Sequence, residues 1–330
     1  MHTRKLGQFE VSALGLGCMS MSQSYGKPDR AESERTLHRA LDIGYTFLDS
    51  ASLYGFGHNE KLLGEVLKHR RDEFVLSSKC GLFRDKVTGQ RTLDARPEKI
   101  REICDESLKN LQTDIIDLYY LHRLDPKVPI EESFGAMADL INAGKVRAVG
   151  ISEASSDTIR RAHKVCPLTA VQSEYSLWTR KPEAKVLITC KELGITFVAF
   201  SPMARGFLTG KLRDTSVLGE DDLRLTMPRF LGDNFTINLK LLNEYELIAE
   251  ENSCTPAQLA LAWLLSKDET IIPIPGTKHV KYVEENAAAA DIKLSANVIQ
   301  HLDQLINDKT VQGERYNETF MKMMDSENDK

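Results

Sequence analysis

The feature that most constrains this chain is an alternation repeated along its length. Short apolar runs rich in β-branched residues lie near positions 13–17, 45–49, 74–78, 115–121, 146–151, 169–172, 195–200 and 270–273. Longer stretches intervene, among them 32–43, 97–111, 132–142 and 182–193, whose apolar residues recur at i, i+3 and i+4. That is the period of a helix with one buried face. Eight strands each followed by helix predict an α/β fold closed as a (β/α)8 TIM barrel. An open doubly wound sheet is the rival, and it would favour a G-x-G-x-x-G turn after the first strand. Gly15-Leu16-Gly17 lacks the third glycine. No Pro- or Gly-rich linker divides the chain, so residues 1–330 read as one barrel domain.

Several segments fall outside the repeat. Residues 4–11 read as an N-terminal hairpin that plugs one end of the barrel. Residues 203–234 read as a long loop after the seventh strand, a length that is uncommon unless functional or disordered. Residues 295–306 read as an extra C-terminal helix with Ser295 as its N-cap, and 307–330 as a polar tail.

The formal net charge of −5 gives no broad attraction to nucleic acid. No run approaches the ~18 uninterrupted apolar residues of a membrane span. The N-terminus lacks the apolar core of a signal peptide, so a cytoplasmic protein is expected. The six cysteines form no C-x-x-C pair and no histidine cluster has zinc spacing, so no metal site is expected. The sequence leaves a homo-oligomer open.

In a (β/α)8 barrel, chemistry sits at the C-terminal ends of strands. Asp49, Lys79 and His122 each end a strand-like run, and Tyr54 follows Asp49 in the next loop. Alone, each has an ordinary structural explanation: a hydrogen-bonded histidine, or a lysine reaching solvent. Their concentration at the mouths of strands two, three and four is harder to explain that way.

Longer motifs surround these four. The run from Asp49 through Tyr54-Gly55 to Asn59-Glu60 and Leu63-Gly64 resembles a signature of the aldo-keto reductase family. So do Asp117 to His122, Gly144-Lys145-Val146-Arg147 with Gly150-Ile151-Ser152, Ser201-Pro202 with Arg205 to Gly210, and Pro275-Gly276-Thr277-Lys278 with Glu284-Glu285-Asn286. The resemblance runs in order over roughly residues 3 to 290. It implies a barrel enzyme that reduces a small-molecule aldehyde or ketone with NADPH, or runs the reverse alcohol oxidation with NADP+. Its catalytic tetrad would be Asp49, Tyr54, Lys79 and His122. Tyr54 would act as general acid, its pKa lowered from about 10 by the Lys79 ammonium. Asp49 would hold Lys79, and His122 would orient the carbonyl oxygen.

The resemblance also implies a cofactor site. Ser152 and Gln172 would face the nicotinamide carboxamide, with Glu153 beside them, and Phe200 would stack on the ring. Ser201, Met203, Arg205 and Gly206 would follow the pyrophosphate. Lys278 would face the 2′-phosphate and Glu285 and Asn286 the adenine, with Gly276, Thr277 and His279 also in the cofactor site. Ala204 stands where relatives commonly have glycine, and His279 where they often have arginine. Met21, Tyr25, Leu53, Phe83 and Trp178 are the residues expected in the substrate pocket, with Phe230 and 320–324 closing its top. Arg123 reads as a surface salt-bridge residue or a contact for an anionic substrate. Two alternatives stand beside this reading: Lys79 as a Schiff-base lysine, and a cofactor-binding regulatory subunit with low turnover.

Overall fold

The computed structural model describes residues 1–84 and 90–329. The chain opens with an antiparallel hairpin, β1 (Thr3–Leu6) and β2 (Phe9–Ser12). Its two-residue turn places Gly7 at φ +56, the first central position that hairpin turns give to glycine. The strands β3 (Leu16–Gly17), β4 (Phe47–Asp49) and β5 (Val75–Cys80) begin the barrel. A second hairpin, β6 (Leu82–Arg84) with β7 (Arg91–Leu93), follows β5. The barrel continues through β8 (Ile116–Leu121), β9 (Val146–Ser152), β10 (Leu168–Glu174), β11 (Thr196–Phe200) and β12 (Ile271–Ile274).

These eight barrel strands pair in parallel in the order β3-β4-β5-β8-β9-β10-β11-β12. The ring closes where Gly15 N–H donates to the Pro273 carbonyl at 3.0 Å and Gly17 bridges Gly276. Helices α1 (Arg30–Asp42), α2 (His58–Leu67), α3 (Pro97–Leu111), α4 (Ile130–Asn142), α5 (Ser156–Val165) and α6 (Val186–Leu193) surround the first strands. The remainder are α7 (Gly232–Leu239), α8 (Leu241–Glu251), α9 (Pro256–Lys267), α10 (Val280–Ala288), α11 (Ala296–Leu305) and α12 (Glu318–Met321).

Strand alternation divides the core in two. Leu118, Tyr120, Ala148, Ala170, Val198 and Ile272 point into the barrel, where Leu6 and Val11 of the hairpin seal one end. Their neighbours Tyr119, Leu121, Val149, Val171, Phe197 and Ile271 face the helices. This is the two-residue period of a strand buried on both faces. Gly150 belongs to the inner set: a Cβ there would lie 2.5 Å from the Tyr120 ring. The barrel has room for Tyr120 because β9 carries no side chain opposite it.

The barrel, the hairpin plug and the Ser295-capped helix match the expectation from sequence, the Ser295 hydroxyl accepting from Val298 N–H. Three segments differ. The stretch 182–193 is not one helix: Lys185 breaks it at φ −145, ψ −43, leaving a short turn and then α6. The long loop is built from four 3-10 turns between Ala204 and Phe230 before α7 begins. The C-terminal segment, read as a polar tail, is largely docked on the barrel. Arg315, Tyr316, Met324 and Ser326 are buried. Its carboxylates cap α5, Asp325 accepting from Ser155 N–H at 2.7 Å and Asp329 from Ser156 N–H at 3.0 Å. Negative charge at a helix N-terminus meets free N–H groups and the positive end of the helix dipole.

Among the described residues, no helix is long and apolar enough to cross a membrane.

Candidate active site

A cleft of about 370 Å³ opens at the C-terminal ends of the barrel strands. Its floor is set by strand geometry. Asp49 is the last residue of β4, Lys79 lies near the end of β5, and His122 directly follows β8. Tyr54 sits in the turn after β4, its backbone tied to Ala51 and Asn59. Asn59 in turn bonds the Ser50 hydroxyl and the Cys18 carbonyl, which fixes that turn against the barrel rim.

Lys79 is fully buried, at 0 % exposure, beneath the cleft rather than in its wall. Its Nζ donates to Asp49 Oδ1 at 2.5 Å, to the Ser50 carbonyl at 2.7 Å and to the Tyr54 hydroxyl oxygen at 3.4 Å. Asp49 Oδ2 accepts from Ser77 Oγ at 2.8 Å and Gln172 Nε2 at 2.9 Å. Both ions are thus hydrogen-bonded on several sides, the condition under which a buried pair persists.

Burial would push the Lys79 ammonium down, but Asp49 and then Tyr54 outweigh it and hold its pKa above the ordinary value. Tyr54 shows the opposite balance from the one expected. Burial raises its pKa by more than Lys79 lowers it, so the hydroxyl stays protonated beyond its ordinary range. His122 is held well below its ordinary pKa, by burial first and then by Arg123, Lys79 and Arg91. It is a neutral imidazole at neutral pH, set edge-on to Tyr54 with ring centroids 5.9 Å apart.

The residues expected around a cofactor fall in the same cleft. Ser152 on β9, Gln172 on β10 and Phe200 at the end of β11 line it, and Ser201, Met203, Arg205 and Gly206 line it from the turn after β11. Gly276, Thr277, Lys278, His279, Glu285 and Asn286 line the far arm. Several are already engaged. Arg205 Nη2 donates to Glu174 at 2.7 Å and to the Tyr316 hydroxyl at 2.5 Å. Lys278 Nζ donates to the carbonyls of Tyr25, Gly26 and Lys27 at 2.8, 3.0 and 3.0 Å. Glu153 lies outside the cleft, buried at φ +55 and paired with Arg315 at 2.5 Å. Ala204, where glycine is common, has φ +52.

Of the expected pocket residues, Tyr25 and Leu53 line the cleft, and Met21, Phe83 and Trp178 do not. Met21 packs in the core, and Met19 and Ser20 face the cleft instead. Leu82 lines the cleft while its neighbour Phe83 lies under Lys99 Nζ, 5.5 Å from the ring centroid, as alternation along a strand requires. Trp178 stacks on Phe207 with centroids 4.1 Å apart and packs edge-on to Phe230, so Phe230 also belongs to that cluster. Arg123 is not a surface residue: it is buried beside His122, and its hydrogen-bond partners are the His122 carbonyl and Ser152 Oγ, both neutral. Sequence reasoning missed Arg91, Leu223, Arg224, Tyr282 and Tyr316, which also line the cleft. Tyr282 had a signal, being one helical turn from His279; the others come from loops, a hairpin and the tail, where no period marks a face.

A barrel with a buried lysine–carboxylate pair under a tyrosine, opening on a long cleft, is the arrangement that the aldo-keto reductase resemblance implies. The sequence profile of the aldo/keto reductase family matches residues 13–307, and the chain belongs to that family. The aldo-keto reductase yakc [NADP(+)] of Schizosaccharomyces pombe is 43 % identical over 319 residues, covering 95 % of this chain and 94 % of the relative. A probable aldo-keto reductase 1 of Glycine max is 40 % identical over 316 residues, covering 94 % and 91 %. Among solved structures, a glycerol dehydrogenase from Gluconobacter oxydans superposes with TM-score 0.86 at 29 % identity, covering 96 % and 98 %. An aldo/keto reductase from Klebsiella pneumoniae in complex with NADP and acetate superposes with TM-score 0.72 at 27 % identity, again over 96 % and 98 %.

Proposed function

We propose that this protein is an NADPH-dependent carbonyl reductase in which Tyr54 delivers the proton. The observation that carries the reading is the buried Lys79 ammonium, bonded to both Asp49 and the Tyr54 hydroxyl at the cleft floor.

The far arm of the cleft suits a phosphorylated dinucleotide. His279 heads α10 without a cap from its own side chain. Glu32 Oε1 accepts from Val280 N–H there at 3.2 Å, and the remaining backbone N–H groups of a helix N-terminus favour phosphate. Lys278 adds a cation at that rim, and Thr277, Glu285 and Asn286 complete the arm. Phe200 offers a ring face between the arm and the floor. Ser152 and the Gln172 amide oxygen are the polar groups beside it, since the Gln172 amide nitrogen is committed to Asp49. Bound NADPH supplies the hydride that the carbonyl carbon receives.

The residues of the chain manage the other half of the reaction. Negative charge gathers on the carbonyl oxygen as the carbon is reduced. Neutral His122 orients that oxygen, and Tyr54 protonates it. The phenolate left behind faces Lys79, which Asp49 keeps charged. Fixed charge aimed at charge that develops during reaction, in a site shielded from water, is usually the largest catalytic term.

The test is steady-state turnover of a panel of aldehydes and ketones with NADPH and with NADH, in wild type and Tyr54→Phe. The expected result is turnover in wild type and a loss of about 10²–10⁴-fold in kcat for the variant, with NADPH binding retained. A variant keeping more than about a tenth of wild-type kcat removes Tyr54 from the role. NADPH binding without turnover in wild type would instead point to a regulatory subunit.

A further inference from the structure

We propose that Arg123 is the anion-recognition residue of the substrate pocket, and that the favoured substrates are aldehydes or ketones carrying a carboxylate. This rests on the carbonyl-reductase reading and narrows its substrate class.

Arg123 follows His122 directly and lines the cleft, yet only 6 % of its surface is exposed. Its Nη1 donates to the His122 carbonyl at 2.5 Å and to Ser152 Oγ at 3.1 Å. Both acceptors are neutral. Its Nε has no hydrogen-bond partner among the described residues. The carboxylates nearest this wall belong to other cations. Glu174 pairs with Arg205 at 2.7 Å, and Glu153 with Arg315 at 2.5 Å and Ser326 Oγ at 2.6 Å. Arg123 therefore has no ion-pair contact of its own among the described residues; Glu153, held by Arg315, compensates it only in part and at longer range.

An uncompensated buried charge is costly. A guanidinium offers a planar fork of donors that matches a carboxylate edge. An anionic ligand in the cleft would supply the missing partner. Arg91, in the same cleft, adds a second positive charge. Leu53, Leu82, Tyr54 and His122 line the cleft with them, and Arg123, Arg91 and the buried Lys79 beneath all act on His122. Because Arg123 adjoins His122, a carboxylate held there sits on the same molecule as the carbonyl that His122 orients. A cofactor phosphate is the other source of an anion, but the helix N-terminus and Lys278 lie at the opposite arm.

The experiment compares kcat/KM for para-carboxybenzaldehyde and para-methylbenzaldehyde, close in size and differing in charge, in wild type, Arg123→Lys and Arg123→Met. NADPH dissociation constants are measured in parallel. Wild type should prefer the carboxylate. Arg123→Met should lower the carboxylate-to-methyl ratio about ten- to hundredfold, the worth of a hydrogen bond to a charged group. Arg123→Lys should keep part of it. Turnover of the methyl compound with no carboxylate preference in wild type overturns this inference alone. So does an unchanged ratio in Arg123→Met. Weakened NADPH binding with both aldehydes lowered alike assigns Arg123 to the cofactor and also overturns it. Turnover of neither aldehyde, nor of any carbonyl compound in the panel, overturns the underlying reading.

Discussion

Two lysines serve the cleft, Lys79 beneath its floor and Lys278 in its lining, and they are held in opposite ways. Lys79 lies on a barrel strand, fully buried, with a carboxylate, a carbonyl and a phenol as partners. Lys278 lies on a loop, half-buried, and its partners are three backbone carbonyls of residues 25–27 on another loop. Burial lowers the Lys278 pKa, with only Asp222 acting the other way. The first lysine is held in place by the barrel. The second clasps two loops together across the rim, and any phosphate it serves must compete with those carbonyls. In the proposed mechanism, rigid strands would carry the chemistry and loops that hold one another would carry the binding.

The rim ends in the C-terminal segment, and removing its anchor should have the largest effect on stability. Arg315→Met leaves Glu153 buried without its main partner, a loss of about 3–5 kcal/mol. Arg315 holds Glu153 at a pKa of about 2, against burial. Because the folded value is depressed, the stabilisation is present above the unfolded carboxylate pKa of about 4.3 and is lost as pH falls toward about 2. Urea midpoints of wild type and Arg315→Met should therefore differ most near neutrality and converge in acid. A Glu153→Gln, Arg315→Met double variant should recover part of the loss. A gap that does not change with pH would mean that the ion pair is not what docks the tail.

A smaller effect separates the two possible jobs of Lys278. If it serves the 2′-phosphate, Lys278→Met should weaken NADPH by about 1.5–3 kcal/mol and leave NADH nearly unchanged. Equal weakening of both cofactors would mean that Lys278 only closes the loop, and would sharpen the contrast with Lys79. Dissociation constants for the two cofactors decide it.

The smallest effect tests strain in the rim. Ala204 at φ +52 pays for a left-handed backbone that glycine adopts freely. Ala204→Gly should relieve about 1–2 kcal/mol of strain and lose about half of that to the entropy of the unfolded chain. Thermal denaturation should show a net gain under about 1 kcal/mol. A clear loss would show that the Ala204 methyl, buried in the core, contributes more by packing than its conformation costs.

The same contrast explains what could be read in the sequence. The barrel was legible because alternating strands and amphipathic helices repeat with fixed periods, and Asp49, Lys79 and His122 were legible because they end strands. Direction was harder. Leu82 and Phe83 adjoin, and only the pairing of their hairpin determines which one faces the cleft. Met21 and Trp178 were expected in the pocket because they follow strands, but loop residues have no period to say which side they face. Tyr316 and Arg315 were read only as part of a polar tail. Their partners, Arg205 and Glu153, are more than a hundred residues away, and such contacts leave no local pattern. The balance on Tyr54 was also hidden: the attraction of Lys79 follows from chemistry alone, while the larger effect of burial requires the fold.

The central claim is that Lys79 is electrostatically coupled to a proton donor at Tyr54. The most direct measurement is kcat/KM for reduction followed to the highest pH the fold withstands, in wild type and Lys79→Met. Lys79 opposes the burial that raises the Tyr54 pKa, so its removal should lower the rate and move the alkaline fall to higher pH. An alkaline fall at the same pH in both proteins, or a wild-type rate in Lys79→Met, would contradict the account.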